Sequence, residues 1–598
     1  MGLEIREKKY KFCKWILVVA LSIMTIRLWH LQIIKGEEMR KLSEQNRIRI
    51  QKLYAPRGTI YDKKGRILAE TRPSFNLYIV PEDIKDFNQT VDGIARLLNI
   101  EREEIVEKLS FSKELPPSFP VKIKSDLTID EVAKVEAQRV YLPGVLVQVE
   151  PKRYYPHGEI FSHLIGYVSE ISNEELKMHK GYSPGDYIGK YGLEKFYEDY
   201  LRGRDGERRV EVDAMGREIR VLETKEPIPG NNLYLNVDLD VQMAIYKVLE
   251  KKSGGAVVLD TTSGGVIALV SRPGFDPNRL VSGVKKEEWV KLVSDRNHPL
   301  QNRVIQGRYP PGSTFKLLVA IAALEDGTID EKTSFLCRGG LFFGNRLFRC
   351  WKEKGHGNVS VHKGIVESCD VFFYNVGLKI GVDRIHEMAK ILGVMEMSGV
   401  DLPGEKKGFV PCSEWKIKTQ GQKWYEGETL SVSIGQGAVW LTPMGMATLA
   451  SLIANEGILY KPQIVNRIVS PEGNVIKTFK PEIRKEVHIS SKTIEIIKKA
   501  MWGVVNEPTG TAFGSRTSIA EMSGKTGTAQ TASSQKASRG DHAWFVAFAP
   551  FSNPEIAISV IVEYGGHGAQ AAAPVAKIIT EEYFKESKPL KEARVLVR

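Results

Sequence analysis

The stretch RYPPGSTFKLLVAIAALEDG, residues 308–327, limits what this chain can fold into more than any other. Every residue from Leu317 to Leu324 is apolar. A helix apolar on all sides cannot lie on a surface, so it requires a domain large enough to enclose it. Pro310, Pro311 and Gly312 do not extend a helix upstream, and Asp326-Gly327 ends it, so the helix begins at or beside Ser313. Ser313 and Lys316 then share one face, one turn apart. A serine hydroxyl becomes a strong nucleophile only when a base removes its proton, and a lysine is a base only while its amine is neutral. Burial and a second nearby cation favour the neutral amine. The free N–H groups at the helix start suit a developing oxyanion.

The chain has 598 residues, 42% hydrophobic and 26% charged, enough for two or more packed domains. Its formal charge of +12 is spread along the sequence without a zinc-finger, RRM or basic-zipper pattern. A solvated basic surface near anionic lipid or wall polymer accounts for it better than nucleic acid does. KWILVVALSIMTIRLWHLQII, residues 14–34, is long and apolar enough for one bilayer span. Arg6, Lys8, Lys9, Lys11 and Lys14 precede it, which predicts a cytoplasmic N-terminus with the remainder on the far side. No small-x-small cleavage site follows the apolar core, so an uncleaved anchor is expected rather than a signal peptide. Arg27 either snorkels to the outer headgroups or marks a face for another membrane protein.

Beyond the anchor, residues 35 to about 226 read as an irregular α+β module, with a strand at FNLYIV (75–80) and a helix at DEVAKVEAQRV (130–140). KEPIPGNN, residues 225–232, reads as a linker. GGAVVLDTTSGGVIALVSRP (254–273) predicts a hairpin. AEMSGKTGTAQ, HAWFVAFAP and EIAISVIVEYG predict three further strands of the same antiparallel sheet, and AAAPVAKIITEEYF a closing helix. The long stretch between is largely helical, so a sheet flanked by helices is expected.

Ser-x-x-Lys alone is weak: the chain holds six, starting at Ser110, Ser282, Ser313, Ser360, Ser413 and Ser533. Only the one at Ser313 heads a buried helix after a Pro-Pro-Gly turn. It is followed by Ser368-Cys369-Asp370 and by Lys525-Thr526-Gly527. In this order and context the motifs resemble those of the penicillin-recognising serine acyltransferases. RGTIYDKKG (57–65), RYYPHG (153–158) and GKYGLE (189–194) resemble the three short motifs of the class B penicillin-binding proteins, and WYEGETLSVSIGQGAVWLTP (424–443) is most similar to the elongation-type members.

The resemblance implies a peptidoglycan D,D-transpeptidase, a target of β-lactams, laid out as a cytoplasmic N-terminus (1–14), a transmembrane anchor (15–34), a pedestal of the dimerisation type (35–228) and a transpeptidase domain (229–598), anchored in a bacterial cytoplasmic membrane. It implies Ser313 as nucleophile and Lys316 as general base. Ser368 becomes a proton relay, and Lys525 the second charge that keeps Lys316 neutral. Asp370, Thr526, Gly527 and Thr528 become substrate-binding, with the Ser313 and Thr528 N–H groups as oxyanion hole. Gly524 and Gly527 are expected to leave a strand edge bare for substrate. Asp370 departs from the Asn of many relatives and cannot donate a hydrogen bond when ionised, though elongation-type members share it. The implied partners are peptidoglycan stem peptides and, through anchor and pedestal, a SEDS-family membrane glycosyltransferase. A penicillin-binding sensor, a β-lactamase or a mainly structural activator of that glycosyltransferase would carry the same motifs. No Glu-Asp-x-x-Phe motif supports a bifunctional enzyme.

Three of the five cysteines, Cys337, Cys350 and Cys369, lie with His356 in the region around the motifs, with twelve, five and twelve residues between successive members. Three thiols and an imidazole complete a tetrahedral zinc set. A Cys337–Cys350 disulfide and buried free thiols are the alternatives. Resemblance to elongation-type members that hold zinc at these offsets implies a structural zinc. Cys369 is expected within a helix, its sulfur turned away from Ser368.

Overall fold

The computed structural model describes residues 2–37, 48–111, 117, 119–212, 218–530 and 540–585. The Ser-x-x-Lys repeats at Ser110 and Ser533 extend outside these residues. The chain starts with α1, Gly2–Trp29, continued by a π-helical turn at His30–Ile34. Lys9–Ile34 is long and apolar enough to cross a membrane, with mean hydropathy 1.8 and no part buried in protein.

By compactness the chain forms two units, and no single cut in the sequence separates them. One comprises residues 1–56, 72–152 and 203–229, the other 57–71, 153–202 and 230–598. The first unit contains an antiparallel ribbon of Ile48–Leu53, Gly206–Val212 and Glu218–Lys225. It also contains a small α/β core in which the helix Phe87–Leu98 buries Val91, Ile94 and Leu98 with Ile79, Ile123 and Val135. The helix expected at 130–140 is Ile129–Gln138, opened by a reciprocal capping box between Thr128 and Glu131.

The second unit holds β1 (Gly254–Asp260), β2 (Val266–Arg272), α2 (Lys316–Glu325), β3 (Gly340–Phe343), β4 (Arg346–Arg349), α3 (Val361–Val366), α4 (Asp370–Ile391), α5 (Glu426–Ser433), α6 (Pro443–Ala454), α7 (Ser491–Asn506), β5 (Ser523–Ala529), β6 (His542–Ala549), β7 (Ile556–Val562) and α8 (Ala573–Phe584). The five-stranded sheet runs β2-β1-β7-β6-β5 and is antiparallel throughout. The expected hairpin is β1-β2, the three later strands are β5, β6 and β7, and the closing helix is α8. All residues of α6 are buried and those of α2 nearly so, which is why neither shows an amphipathic stripe. Among the described residues β5 pairs only with β6 and stands at the end of the sheet.

The three short N-terminal motifs meet inside this second unit. Glu194, fully buried, accepts from Arg57 Nε at 2.5 Å and Arg153 Nε at 2.6 Å, and Arg57 also reaches Glu198 at 2.7 Å. Buried charges of this kind persist because each is paired and hydrogen-bonded. They tie residues 57–58, 153 and 194 to one another, within the unit that also holds the sheet.

Candidate active site and a cysteine–histidine cluster

The serine lies on a tight 3-10 turn, Gly312–Phe315, and Lys316 is the first residue of α2. Gly312 has φ +55°, and a Cβ there would lie 2.6 Å from the Thr528 carbonyl oxygen. Only glycine lets this turn approach β5 so closely. Gly312 N–H donates to the Gly435 carbonyl at 3.0 Å, and Trp544 Nε1 donates to the Pro310 carbonyl at 2.9 Å. Glu563 accepts from Tyr309 Oη at 2.7 Å and pairs with the buried Arg303 at 3.0 Å. The nucleophile's turn is thereby fixed against β5, β6 and the end of β7, while Ser313 Oγ makes no hydrogen bond among the described residues.

Two fully buried lysines converge on one hydroxyl. Lys525 Nζ donates to Ser368 Oγ at 2.8 Å and to the Thr526 carbonyl at 3.0 Å. Lys316 Nζ lies 3.4 Å from Ser368 Oγ, 2.9 Å from the Ser368 carbonyl and 2.7 Å from Asp370 Oδ1. The Asp370 carboxylate thus neutralises Lys316, while Lys525 has no carboxylate in contact. Burial, followed by the charge of Lys316, holds the Lys525 amine well below the usual lysine range, with Asp370 opposing in part. In this arrangement the carboxylate stands beside Lys316, the expected base, and burial works against a charge on Lys525, the expected second cation.

Two other placements differ from expectation. Ser368 and Cys369 form the turn between α3 and α4 and Asp370 opens α4, with Ser368 at φ +55° and Cys369 in extended conformation as the N-cap. Asp370 binds protein, through Oδ1 to Lys316 and through Oδ2 to the Trp351 N–H at 3.0 Å. The glycines of the third motif do not leave empty space. A Cβ on Gly527 would meet the Pro311 carbonyl at 2.8 Å, and one on Gly524 the Phe545 ring at 2.4 Å, so both are there for close packing. Thr526 and Thr528 remain on the end strand β5, with Thr526 Oγ1 2.7 Å from Thr511 Oγ1.

Cys337, Cys350, His356 and Cys369 are all buried, and their ligand atoms lie within 4.8 Å of one another. Among the described residues every cysteine is unbridged. His356 Nδ1 is 3.5 Å from both Cys337 Sγ and Cys350 Sγ. A tetrahedron with metal–sulfur bonds of about 2.3 Å and metal–nitrogen bonds of about 2.0 Å has N···S edges of about 3.5 Å, so the set fits zinc. The hydrogen bond with Cys369, helped by that with His356 and opposed by burial, lowers the Cys350 thiol, whereas the bond with Cys350 and burial raise Cys369. His356 Nε2 is buried without a hydrogen bond, 3.9 Å from Glu367 Oε2, where a ligating imidazole commonly meets a carboxylate.

Residues 52–235 match the penicillin-binding protein dimerisation domain and residues 254–581 the penicillin binding protein transpeptidase domain. A relative named peptidoglycan D,D-transpeptidase MrdA, from Acinetobacter baumannii, is 36% identical over 575 residues, covering 94% of this chain and 85% of its own. The chain belongs to the class B penicillin-binding proteins. The structure of a penicillin-binding protein, PBP2, in complex with MreC from Helicobacter pylori superposes with TM-score 0.79 at 30% identity, covering 90% of this chain and 99% of that one. A second, described as the structural coordination of polymerization and crosslinking by a peptidoglycan synthase complex, gives 0.72 at 30% identity, covering 96% and 98%. In this penicillin-binding protein, sequence reasoning missed Thr511, Trp351 and Gly312 as parts of the site. Thr511 and Trp351 carry no motif, and Gly312 is marked only by its place before Ser313.

Proposed function

We propose that this penicillin-binding protein is a serine D,D-transpeptidase that cross-links peptidoglycan stem peptides during cell-wall elongation and is acylated by β-lactams at Ser313. The convergence of Lys316 and Lys525 on Ser368 Oγ beside an unencumbered Ser313 is the observation that carries this reading. Before substrate arrives, Lys316 Nζ stands against Asp370 Oδ1, and burial disfavours a charge on Lys525. The terminal carboxylate of a stem peptide, held by Thr526 and Thr528 on the end strand β5, favours a charged Lys525. A proton then passes from Lys316 Nζ to Ser368 Oγ while the Ser368 proton moves to Lys525 Nζ. Lys316, now neutral, takes the Ser313 proton as Oγ attacks the carbonyl between the two terminal D-alanines. The Ser313 and Thr528 N–H groups stabilise the oxyanion, and the C–N bond breaks as the leaving D-alanine amine takes a proton through Ser368. An amine of a neighbouring stem peptide then attacks the ester, forming the cross-link and restoring Ser313.

Cys337, Cys350, His356 and Cys369 would hold one structural zinc, pinning the β3-β4 segment to the turn that carries Ser368. Filled by four protein ligands, such a site supplies folding energy rather than catalysis. The basic residues in the first turns of α1, ahead of its apolar run, support a single span with the N-terminus in the cytoplasm and the catalytic unit on the periplasmic side. The relative solved within a peptidoglycan synthase complex supports a SEDS-family glycosyltransferase as membrane partner.

Fluorescent penicillin followed by peptide mapping tests the reading. The label belongs on Ser313, and Ser313→Ala should abolish it with the fold intact. A label retained by that variant, or mapped to Ser368, overturns the assignment.

A further inference from the structure

The hairpin β3-β4 projects from the segment whose root is the cysteine–histidine cluster. Paired residues across the hairpin share a face: Leu341 with Phe348 and Phe343 with Arg346 on one, Phe342 with Leu347 and Gly340 with Arg349 on the other. The first face is occupied, since Leu341, Phe343 and Phe348 pack on the core beside α4 and α5. The second presents Phe342, 76% exposed, and Arg349 to solvent. Exposed Arg338, Lys352 and Lys354 flank it, and Glu353 is the one acid in the sequence from 338 to 354. Among the described residues Arg338, Arg349 and Lys354 make no ion pair, so three cations stand together without a neutralising acid.

This positive surface begins at the catalytic groups. Trp351, 59% exposed, donates its backbone N–H to Asp370 and its indole Nε1 to the Glu367 carbonyl at 3.0 Å, next to Ser368. Leaving unpaired cations and bare aromatic rings together has a cost in solubility and self-repulsion, which an anionic ligand with apolar ring faces would relieve. Sugar rings stack on exposed aromatic side chains, and carboxylates pair with arginine.

We propose that the outer face of β3-β4, with Phe342, Arg349 and Lys354 as its contacts, is a docking surface for the carboxylate-bearing peptidoglycan strand that delivers the stem peptide to Ser313. The proposal rests on the transpeptidase reading for its ligand and on the hairpin alone for its location. The strand lies along the hairpin and its stem peptide enters at Trp351. A β-lactam, which fills only the site around Ser313, does not touch this surface.

The full-length protein in detergent is tested with soluble, uncross-linked peptidoglycan strands bearing pentapeptide stems. Wild-type binding should weaken as salt is raised from about 0.05 to about 0.3 M. The R349E/K354E double variant should bind about tenfold more weakly at low salt, with a flatter salt dependence, since two attractions become repulsions. Phe342→Ala should weaken binding without changing the salt slope. All variants should keep fluorescent penicillin acylation within about twofold of wild type. Undiminished strand binding by R349E/K354E with acylation intact overturns the surface, as does a salt-insensitive wild type. A wild type that binds strands through these residues yet resists penicillin sinks the transpeptidase reading and leaves the surface standing.

Discussion

At the residue scale the two lysines differ in what surrounds them rather than in what they are. Lys316 sits 2.7 Å from a carboxylate, while Lys525 has burial and a neighbouring cation against its charge. The folded pKa of Lys525 is depressed below the usual 10.5. Between that depressed value and 10.5 the unfolded chain binds a proton the native protein does not, so stability rises with pH across this window. Lys525→Met removes the group and with it this part of the slope. Between about pH 7 and about pH 9 the wild-type melting temperature should therefore gain more than that of K525M. Equal gains would mean that the native amine is charged at rest. The same variant should acylate about a hundred- to ten-thousand-fold more slowly, the usual size of a lost proton-transfer group.

At the element scale, the α3-α4 turn and the β3-β4 hairpin are separate in sequence but share the Cys337, Cys350, His356 and Cys369 cluster. A second link is Trp351 N–H to Asp370, so displacement of Cys350 displaces the carboxylate that holds Lys316. Elemental analysis of protein purified without chelators should find about one zinc per chain. Cys350→Ser or His356→Ala should lower thermal stability and slow penicillin acylation by reorienting Asp370 rather than by removing a reacting group. Absence of zinc together with a Cys337–Cys350 disulfide in the purified protein would remove the metal and leave the serine chemistry in place.

For the whole molecule, the apolar length of α1 is unburied among the described residues, and the first unit has a core of its own. Coexpressed with a SEDS-family glycosyltransferase, the full chain should copurify in detergent, and deletion of residues 1–226 should abolish this. Because residues 57–71 and 153–202 are compact with the sheet-bearing segment, that deletion also removes the Arg57 and Glu194 cluster. Deletion of residues 1–34 alone keeps it and isolates the contribution of the anchor. Copurification unchanged by either deletion rules the contact out.

The sequence alone determined what depends on local pattern. An apolar octet after Pro-Pro-Gly can only be a buried helix starting near Ser313, short apolar runs bounded by turn residues and the Lys-Thr-Gly motif marked the five strands, and four ligand-type residues marked the cluster. Tertiary structure decided everything set by distance between remote segments. Asp370 became the partner of Lys316 because the α3-α4 turn faces the start of α2, and Thr511 joined Thr526 with no motif to announce it. Gly527 and Gly312 proved to be contact points between β5 and the serine turn, which no spacing along the chain records. Coulomb energies and steric overlaps vary with separation in space, and the division of charge between Lys316 and Lys525 follows from which side chains folding brings within about 3 Å of each amine.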